Sequence, residues 1–389
     1  MKWRFIIFIA LVLLLGNVQN YKELTDLAIV SCIGIDLDES GDYNVSVQVI
    51  NSKKSSGGKE EGGNDSEITV YKSKSSTIQE ALRLITRESP KRLHLANLEL
   101  LVISEEAARS GIEKVLDFFL RNTDVNNEFM MVISKEKSLA EKVVSILTPI
   151  EKNPTLSLKN SLETFADKEG GAVKTTASYA LDEILKEYKD VVITSVEVVG
   201  EEDEGEKSES IKESDVKTKV LISDVAFFVD GKLKGYLSCE EAIVYNIIAN
   251  DLKNSIITAT VNESDAAFEI IGSKCKINVE MKDDLYNVNL DVNIKANLSE
   301  IKEEINTNEI DNIHLLENAL KSKIEQMIKN YLEKMIKEYK VDVCGFGEKF
   351  YKKYGNKFKE VSNGYIEKLR FKLSVKTALE NEGSELITR

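Results

Sequence analysis

The side chains that most often carry catalytic chemistry are scarce in this 389-residue sequence. It contains two histidines, His94 and His314, and neither lies in an HExxH zinc motif or beside a GxSxG nucleophile motif. His94, in PKRLHLANLELL, could serve as a base, but its position favours packing near the start of a strand. His314 falls in the first turn of a predicted helix and is expected to be a surface or packing residue. The phosphate-binding patterns GxxxxGK[ST] and GxGxxG are also missing from the sequence.

Four cysteines, Cys32, Cys239, Cys275 and Cys344, are far apart and include no CxxC pair, which disfavours a zinc site. Outside the cytoplasm they could pair in three ways. Each one, however, stands where a small apolar residue of a strand or helix is expected. We predict four buried free thiols, and no metal or other cofactor.

The charge balance is acidic, with 66 Asp and Glu against 52 Lys and Arg, a formal net charge of -14 and a pI near 5.0. This balance argues against nucleic acid as a partner, because phosphate-backbone binding needs concentrated Lys and Arg. No spacing singles out a catalytic pair of carboxylates. The acidic run at 201–215 does not follow the D-x-D-x-D-G order of a calcium loop, so residues 199–216 are predicted to be a solvated linker.

The N-terminus has the pattern of an export leader. Lys2 and Arg4 precede an apolar stretch at 5–15. A helix over 3–16 would cover about 21 Å, against a hydrocarbon core of about 30 Å. We therefore interpret residues 1–20 as a signal-like leader or short anchor, in preference to a full membrane span or a buried N-terminal helix.

The elements that follow predict an α+β multi-domain protein whose first domain, 21–198, is an α/β layer. Strands are expected at 27–36 and 43–50, joined as a hairpin, and at 97–103 and 129–133, with a loop at 51–66. Helices are expected after two capping boxes, Ser76 with Gln79 and Ser110 with Glu113.

Two smaller domains of antiparallel sheet and helix are predicted beyond the linker, at 217–268 and 269–389. Asp230-Gly231 marks a hairpin, and Ser238 with Glu241 caps a helix. Alternating strands at 275–281 and 288–298 meet at a turn, Asp283-Asp284, and a long amphipathic helix at 311–338 precedes a last strand at 369–375.

One short motif after the long helix, Gly345-Phe346-Gly347, suits a corner of the fold. Its glycines allow a tight turn, and Phe346 is expected to plug the adjacent sheet. We prefer this structural role to a ligand site, which is the alternative.

Several blocks together resemble the Ger(x)C family, the C subunit of the nutrient germinant receptor of spore-forming bacteria. YKELTDLAIVSCIGIDLDESGDYNVSVQVIN at 21–51 is similar to the opening "DLAIVxGIGID" and "VQ" patterns of the family, and PKRLHLANLELLVISEEAARSGIEKVLDFFLRN at 90–122 to its next block. GKLKGYLSCEEAIVYNII at 231–248, SKCKINVEM at 273–281 and VDVCGFGEKFYKKYGNKFKE at 341–360 resemble its C-terminal part, including its "D-x-FGFG" hallmark. The blocks are collinear over nearly the whole chain.

The resemblance implies a lipoprotein of the spore inner membrane, exposed on its outer face, with an N-terminal domain followed by two smaller ones. It implies a multi-spanning A subunit and a transporter-like B subunit as partners, in a complex that converts nutrient binding into germination. It implies no enzymatic activity and no cofactor for the C subunit.

This sequence departs from the family at the lipid-attachment site. In the family the leader ends in L-x-G-C, and the cysteine thiol takes the lipid. Here Leu14-Leu15-Gly16 is followed by Asn17 and Val18, neither of which has a thiol, so lipidation at this position is excluded. The leader could remain as an uncleaved anchor, be cleaved at an atypical site, or belong to a diverged copy of weakened function. We favour the uncleaved anchor, because the segment has no convincing small-residue pair for signal peptidase.

The sequence thus favours a non-enzymatic, extracytoplasmic subunit of a spore germinant receptor. The alternative is a secreted or membrane-tethered protein that binds a ligand or acts on the cell wall. A hydrolase should present convergent carboxylates in a cleft, whereas a scaffold should present a surface for its partners.

Overall fold

A computed structural model describes residues 27–51, 68–135, 138–148, 151, 153–201, 205–206, 217–282, 285–302, 305 and 309–381. The predicted leader, nearly all of the 51–66 loop, most of the acidic linker and the Asp283-Asp284 turn lie outside these residues.

Strands and helices alternate in the first half of the described chain. The strands are β1 (Leu27–Leu37), β2 (Tyr43–Ile50), β3 (Ile68–Ser75), β4 (Arg92–His94), β5 (Leu100–Ser104), β6 (Met130–Ser134), β7 (Val192–Val199), β8 (Lys219–Val229), β9 (Lys232–Leu237), β10 (Ser255–Val261), β11 (Ser264–Lys282), β12 (Leu285–Ile301) and β13 (Leu369–Asn381). The helices are α1 (Ile78–Ile85), α2 (Glu105–Ser110), α3 (Glu113–Arg121), α4 (Ala140–Ser145), α5 (Pro154–Lys168), α6 (Ala177–Ile184), α7 (Cys239–Ala249), α8 (Ile310–Leu332), α9 (Phe346–Tyr354) and α10 (Asn356–Lys359). A π-helical segment, Glu333–Tyr339, extends α8, and a 3-10 turn, Tyr365–Lys368, precedes β13.

The first sheet has the order β3-β2-β1-β5-β6-β7-β8-β9, with β4 also beside β1. Its centre, from β1 through β5 and β6 to β7, is parallel, and antiparallel hairpins form both ends. Helices cover both faces: α1, α2, α3 and α6 pack on one, and α4 and α5 on the other. Because these parallel strands are covered on both faces, every residue of β5 and β6 is buried, and both runs stay apolar up to their final serines, Ser104 and Ser134, instead of alternating.

Polar residues of β1 and β2 hold α4 against the first sheet. Both carboxylate oxygens of Asp36, at the end of β1, accept backbone N–H bonds from the start of α4, at 2.8 Å from Ala140 and 3.0 Å from Glu141. Gln48 of β2 donates from Nε2 to the Val144 carbonyl at 2.8 Å. Gly34 lies where a Cβ would come 3.0 Å from the Ala140 carbonyl oxygen, so a larger residue would push α4 away. The opening block therefore contains residues that hold this helix against the sheet.

The second sheet has the order β10-β11-β12-β13 and is covered on one face by α7, α8 and α9. The first three strands are antiparallel, as predicted, but β13 runs parallel to β12. The expectation of an entirely antiparallel tail was therefore wrong. The chain returns through α8, and such a helical crossover is what joins parallel neighbours.

The α+β class is confirmed, but residues 217–268 have no sheet of their own. The first two strands of this range, β8 and β9, complete the first sheet, whereas β10 begins the second. Val199 at the end of β7 pairs with Lys219 at the start of β8. The acidic segment between them therefore connects two paired strands, and the division of the chain into domains at 199–216 stays a prediction.

Two of the three predicted capping boxes differ from the structure. Helix α1 is capped by Thr77, whose Oγ1 accepts from the Glu80 N–H at 3.2 Å, one residue after the predicted Ser76. Ser110 ends α2 instead of starting α3, whose first turn has no side-chain cap. The Ser238 and Glu241 box on α7 is confirmed, and so is the Asp230-Gly231 hairpin, where both residues have positive φ.

Candidate functional site

The Gly345-Phe346-Gly347 turn forms the start of α9, after the long helix and its π-helical extension, with Gly345 at the N-cap position. Gly345 has a φ of +71°, and a Cβ there would come 2.9 Å from Cδ of Lys189. Phe346 is 1% exposed, and its ring meets that of Phe371 on β13 with centroids 5.2 Å apart. At Gly347 a Cβ would lie 2.5 Å from Oη of Tyr365. Both glycines are thus fixed by conformation or by close contact.

A buried carboxylate organises this turn. Asp342 is 1% exposed, and its oxygens accept the backbone N–H bonds of Phe346 at 3.0 Å and Gly347 at 2.7 Å. The hydroxyl of Tyr365 donates a third bond at 2.9 Å. Burial raises the pKa of Asp342, while these hydrogen bonds act in the opposite direction. The carboxylate therefore caps the N-terminus of α9.

A second carboxylate lies beside the first. The Asp342 N–H donates to Oδ2 of Asp190 at 3.4 Å, and the Asp190 N–H donates to the Asp342 carbonyl at 3.3 Å. Burial, and next the charge of Asp342, raise the pKa of Asp190 to about 7. Asp190 is thus a carboxyl group that can exchange a proton near neutral pH.

Two clefts flank the segment that carries Asp190. A cleft of about 400 Å³ is lined by Asp190, Tyr365 and the β8–β9 hairpin turn. A cleft of about 410 Å³ lies on the other side, between α7 and β11, and is lined by Tyr179, Tyr245 and Cys344. Lys189 reaches both, and its Nζ donates to Oη of Tyr179 at 2.8 Å and pairs with Glu183 at 2.8 Å.

This arrangement differs from a hydrolytic carboxylate pair. Asp190 lines the cleft, but both oxygens of Asp342 are bound by the turn and its side chain is buried. A pair that shares one substrate needs both carboxyl groups to reach it. Across the residues that the structure describes, no group of three or more His, Cys, Asp or Glu is arranged to hold a metal ion.

The other residues considered from sequence are scattered. His94 is half-buried at the end of β4, and His314 is exposed on α8, with Nδ1 at 3.3 Å from Glu317 Oε2. All four cysteines are free; Cys32 and Cys275 are buried and Cys344 is partly buried. The prediction for Cys239 was wrong, because this residue opens α7 at an exposed position. Asn17 and Val18 lie outside the described residues.

Two protein-family models match this chain. A family model described as "Spore germination protein N-terminal domain" matches residues 20–198, and one described as "Spore germination B3/ GerAC like, C-terminal" matches residues 223–383. The two matches are collinear and together cover most of the sequence.

The chain belongs to the Ger(x)C family of spore germination proteins. It is 27% identical to spore germination protein KC of Bacillus subtilis (strain 168) over 384 residues, which cover 96% of this chain and 93% of that protein. It is 20% identical to spore germination protein GerQC of Bacillus cereus over 326 residues, 83% of each chain. The crystal structure of the GerBC protein has the same fold, with a TM-score of 0.55 at 16% identity, over 90% of this chain and 97% of that one.

Sequence reasoning identified the Gly345-Phe346-Gly347 turn but missed the two acids behind it. Asp342 had a usable signal, since an Asp shortly before a glycine and a helical pattern is typical of a cap. Asp190 had none, because it comes from a segment about 150 residues away and meets the turn only in the folded chain.

Proposed function

We propose that this chain is the C subunit of a spore nutrient germinant receptor. It acts without catalysis of its own, on the extracytoplasmic face of the spore inner membrane, through contacts with the membrane-embedded A and B subunits. The observation that carries the proposal is the collinear match of both family regions, together with 27% identity to a spore germination protein over an alignment that covers 96% of the chain.

The contacts of the family-like blocks support a scaffold. Asp36 and Gln48 of the opening block hold α4, and Asp342 of the last block holds α9. These polar residues are engaged by the backbone of their own chain. Their hydrogen bonds make the fold rigid, which suits a subunit that presents surfaces to partners.

Membrane attachment in this proposal comes from the uncleaved leader, since the lipid-accepting cysteine is replaced. No helix among the described residues is long and apolar enough to cross a bilayer, and the leader is not among them. N-terminal sequencing of the membrane-bound protein tests this step. A sequence that begins at Met1 supports the anchor, and one that begins near Gln19 contradicts it.

Germination of spores that lack this chain tests the function. The spores are exposed to amino acids, sugars and salts, with a nutrient-independent trigger as the control. Loss of the response to one nutrient class, with a normal response to the control trigger, is expected of a receptor subunit. Normal germination with every nutrient would contradict the proposal for this chain.

The Asp190 cleft is the observation that favours the alternative, a protein that binds a ligand or acts on the cell wall. Its volume of about 400 Å³ and a carboxyl pKa of about 7 would suit an acid–base group. Asp190→Asn separates the two functions, because a receptor scaffold keeps nutrient germination with this variant. A cell-wall hydrolase that used this carboxyl group would lose release of wall fragments.

A further inference from the structure

The second sheet has one face that no helix of the described chain covers. Side chains of β11, β12 and β13 alternate: one set, including Val288, Leu290 and Val292, is buried under the helices. The other set points away from them and is exposed or half-exposed. We call one part of this outer surface the basic face: the outward-pointing side chains of 272–282, 285–295 and 370–380, at the end of the sheet away from β10. The remaining part, along β10, includes the acidic residues Asp265, Glu269 and Glu300.

The strand register places lysines in rows across the basic face. Lys274 and Lys376 flank Asn293 in one row, and Lys276 lies opposite Asp291 in the next. Further along, Lys372 follows Asn278 and Asn289. Neighbouring strands lie about 4.8 Å apart, so these ammonium groups share one continuous surface.

The charge of this surface is opposite to that of the chain. Seven basic side chains stand against three carboxylates, Glu280, Asp291 and Glu380, although the whole chain carries -14. The basic side chains are Lys274, Lys276, Lys282, Lys295, Arg370, Lys372 and Lys376. Glu380 is already paired with Lys295. Within the described part of the chain, Lys274, Lys276, Lys372 and Lys376 have no carboxylate within 4.0 Å.

The composition of the face decides between kinds of partner. Its only apolar side chains are Leu285 and Ala378, and it has no aromatic residue. A protein interface normally has an apolar, aromatic-rich centre, which this face lacks. A second copy presenting the same face would meet like charge. A flat array of cations and asparagines instead suits the phosphate groups of lipid headgroups, where each Lys or Arg near the surface adds about fivefold in affinity.

We propose that the basic face binds an anionic phospholipid surface and lays the second sheet against the membrane. This inference rests on the proposed membrane location and adds an orientation to it. The attraction is weak for each charge and works together with the anchor, which supplies the attachment. Its role is to set which side of the protein is left for partner subunits.

Vesicle binding of the purified full chain tests the proposal. The probes are vesicles of phosphatidylcholine alone and of phosphatidylcholine with phosphatidylglycerol. Both offer the leader the same hydrocarbon, so the difference between them reports on the charged surface. We expect tighter binding to the anionic vesicles at about 0.01 M salt and loss of that difference at about 1 M salt. Replacement of Lys274, Lys276, Lys372 and Lys376 by Glu should reduce the difference more than tenfold.

A matched variant replaces four exposed lysines of the first-sheet half, Lys114, Lys219, Lys232 and Lys234, by Glu, which changes the net charge equally. Retained preference in this control, with unchanged melting of both variants, supports the basic face. The proposal would be overturned if both variants lost the preference for anionic vesicles equally, or if the wild type showed no such preference. The basic face would then suit an acidic protein as its partner. Failure here is separable from failure of the proposed function, because nutrient germination is a different measurement.

Discussion

At the scale of single residues, Asp190 makes the fold sensitive to pH. Its pKa is about 7 in the folded chain, against about 3.9 for an ordinary Asp in an unfolded one. Between these values the folded state holds the extra proton, so the free energy of unfolding falls as pH rises from about 4 to about 7. Asp190→Asn removes this penalty and is expected to stabilise the protein at pH 8, by on the order of 2 kcal/mol, with little effect near pH 4. Thermal melting at both pH values measures the change.

Glu187→Gln is the control for the Asp190 prediction. Glu187 is exposed and its pKa is lowered by its pairing with Lys359, so its neutralisation should not stabilise the chain at high pH. Equal pH dependence of wild type and Asp190→Asn would show that the Asp190 carboxyl group is not destabilised by its surroundings.

Phe346 anchors the Gly345-Phe346-Gly347 turn through its buried ring. Phe346→Ala removes a fully buried ring beside Phe371 and is expected to cost about 3 to 5 kcal/mol of stability. Circular-dichroism melting measures the loss. Tyr351→Ala, on the exposed side of the same helix, should cost much less. Unchanged melting of Phe346→Ala with lost germination would instead assign this residue to an interaction surface.

The residue types of this turn were visible in the sequence, but their energetic roles were not. Gly-Phe-Gly predicts a tight corner because of backbone freedom, and Gly345 does have a positive φ. The pairing of Asp342 with Asp190 depends on two segments that only tertiary structure brings together. A shifted pKa is therefore beyond what spacing along the chain can predict.

At the scale of elements, two adjacent hydroxyl residues, Ser76 and Thr77, precede α1 and differ in their contribution to its N-cap. Both residues are exposed, but the N-cap of α1 is Thr77, which accepts the Glu80 N–H bond. Thr77→Ala is expected to lower stability by about 1 kcal/mol, the usual value of a lost N-cap, and Ser76→Ala by much less. Urea denaturation of both variants measures the difference. A larger loss of stability for Ser76→Ala than for Thr77→Ala would show that Ser76 is the N-cap, as the sequence predicts.

Element types were largely predictable from periodicity, whereas strand direction was not. The alternation in β11 and β12 and the apolar stripe of α8 correctly indicated strand and helix. The same alternation in β13 says nothing about whether its neighbour is parallel, since both directions bury every second side chain. The direction of β13 relative to β12 follows instead from the crossover through α8.

At the scale of the whole molecule, the two family regions are interlocked. Strands β8 and β9 follow the acidic segment but complete the first sheet, and alternate residues of β8 face different cores. Val225 and Phe227 pack with the second sheet and its helices, whereas Ala226 and Phe228 pack with the first helical layer. Composition suggested a boundary at this segment because charge marks solvent exposure, and it cannot indicate which strands pair across it.

Separate expression of 1–206 and 217–389 tests this interlocking. The first fragment alone would leave β7 as an apolar edge strand and is expected to be insoluble. Co-expression should restore a soluble complex of both fragments, measured by co-purification through a tag on one of them. A first fragment that is soluble, monomeric and melts cooperatively alone would contradict the interlocked arrangement.

The β7–β8 pairing also limits how genes of this family can recombine. A crossover between two paralogues at the acidic segment joins β7 of one parent to β8 of the other, along a ladder from Val192 and Phe227 to Val199 and Lys219. A crossover after Leu237 instead transfers β8 and β9 together with the sheet that they complete. Functional hybrids should therefore have their junctions beyond β9, and hybrids joined inside the acidic segment should be selected against unless the parents match along this ladder.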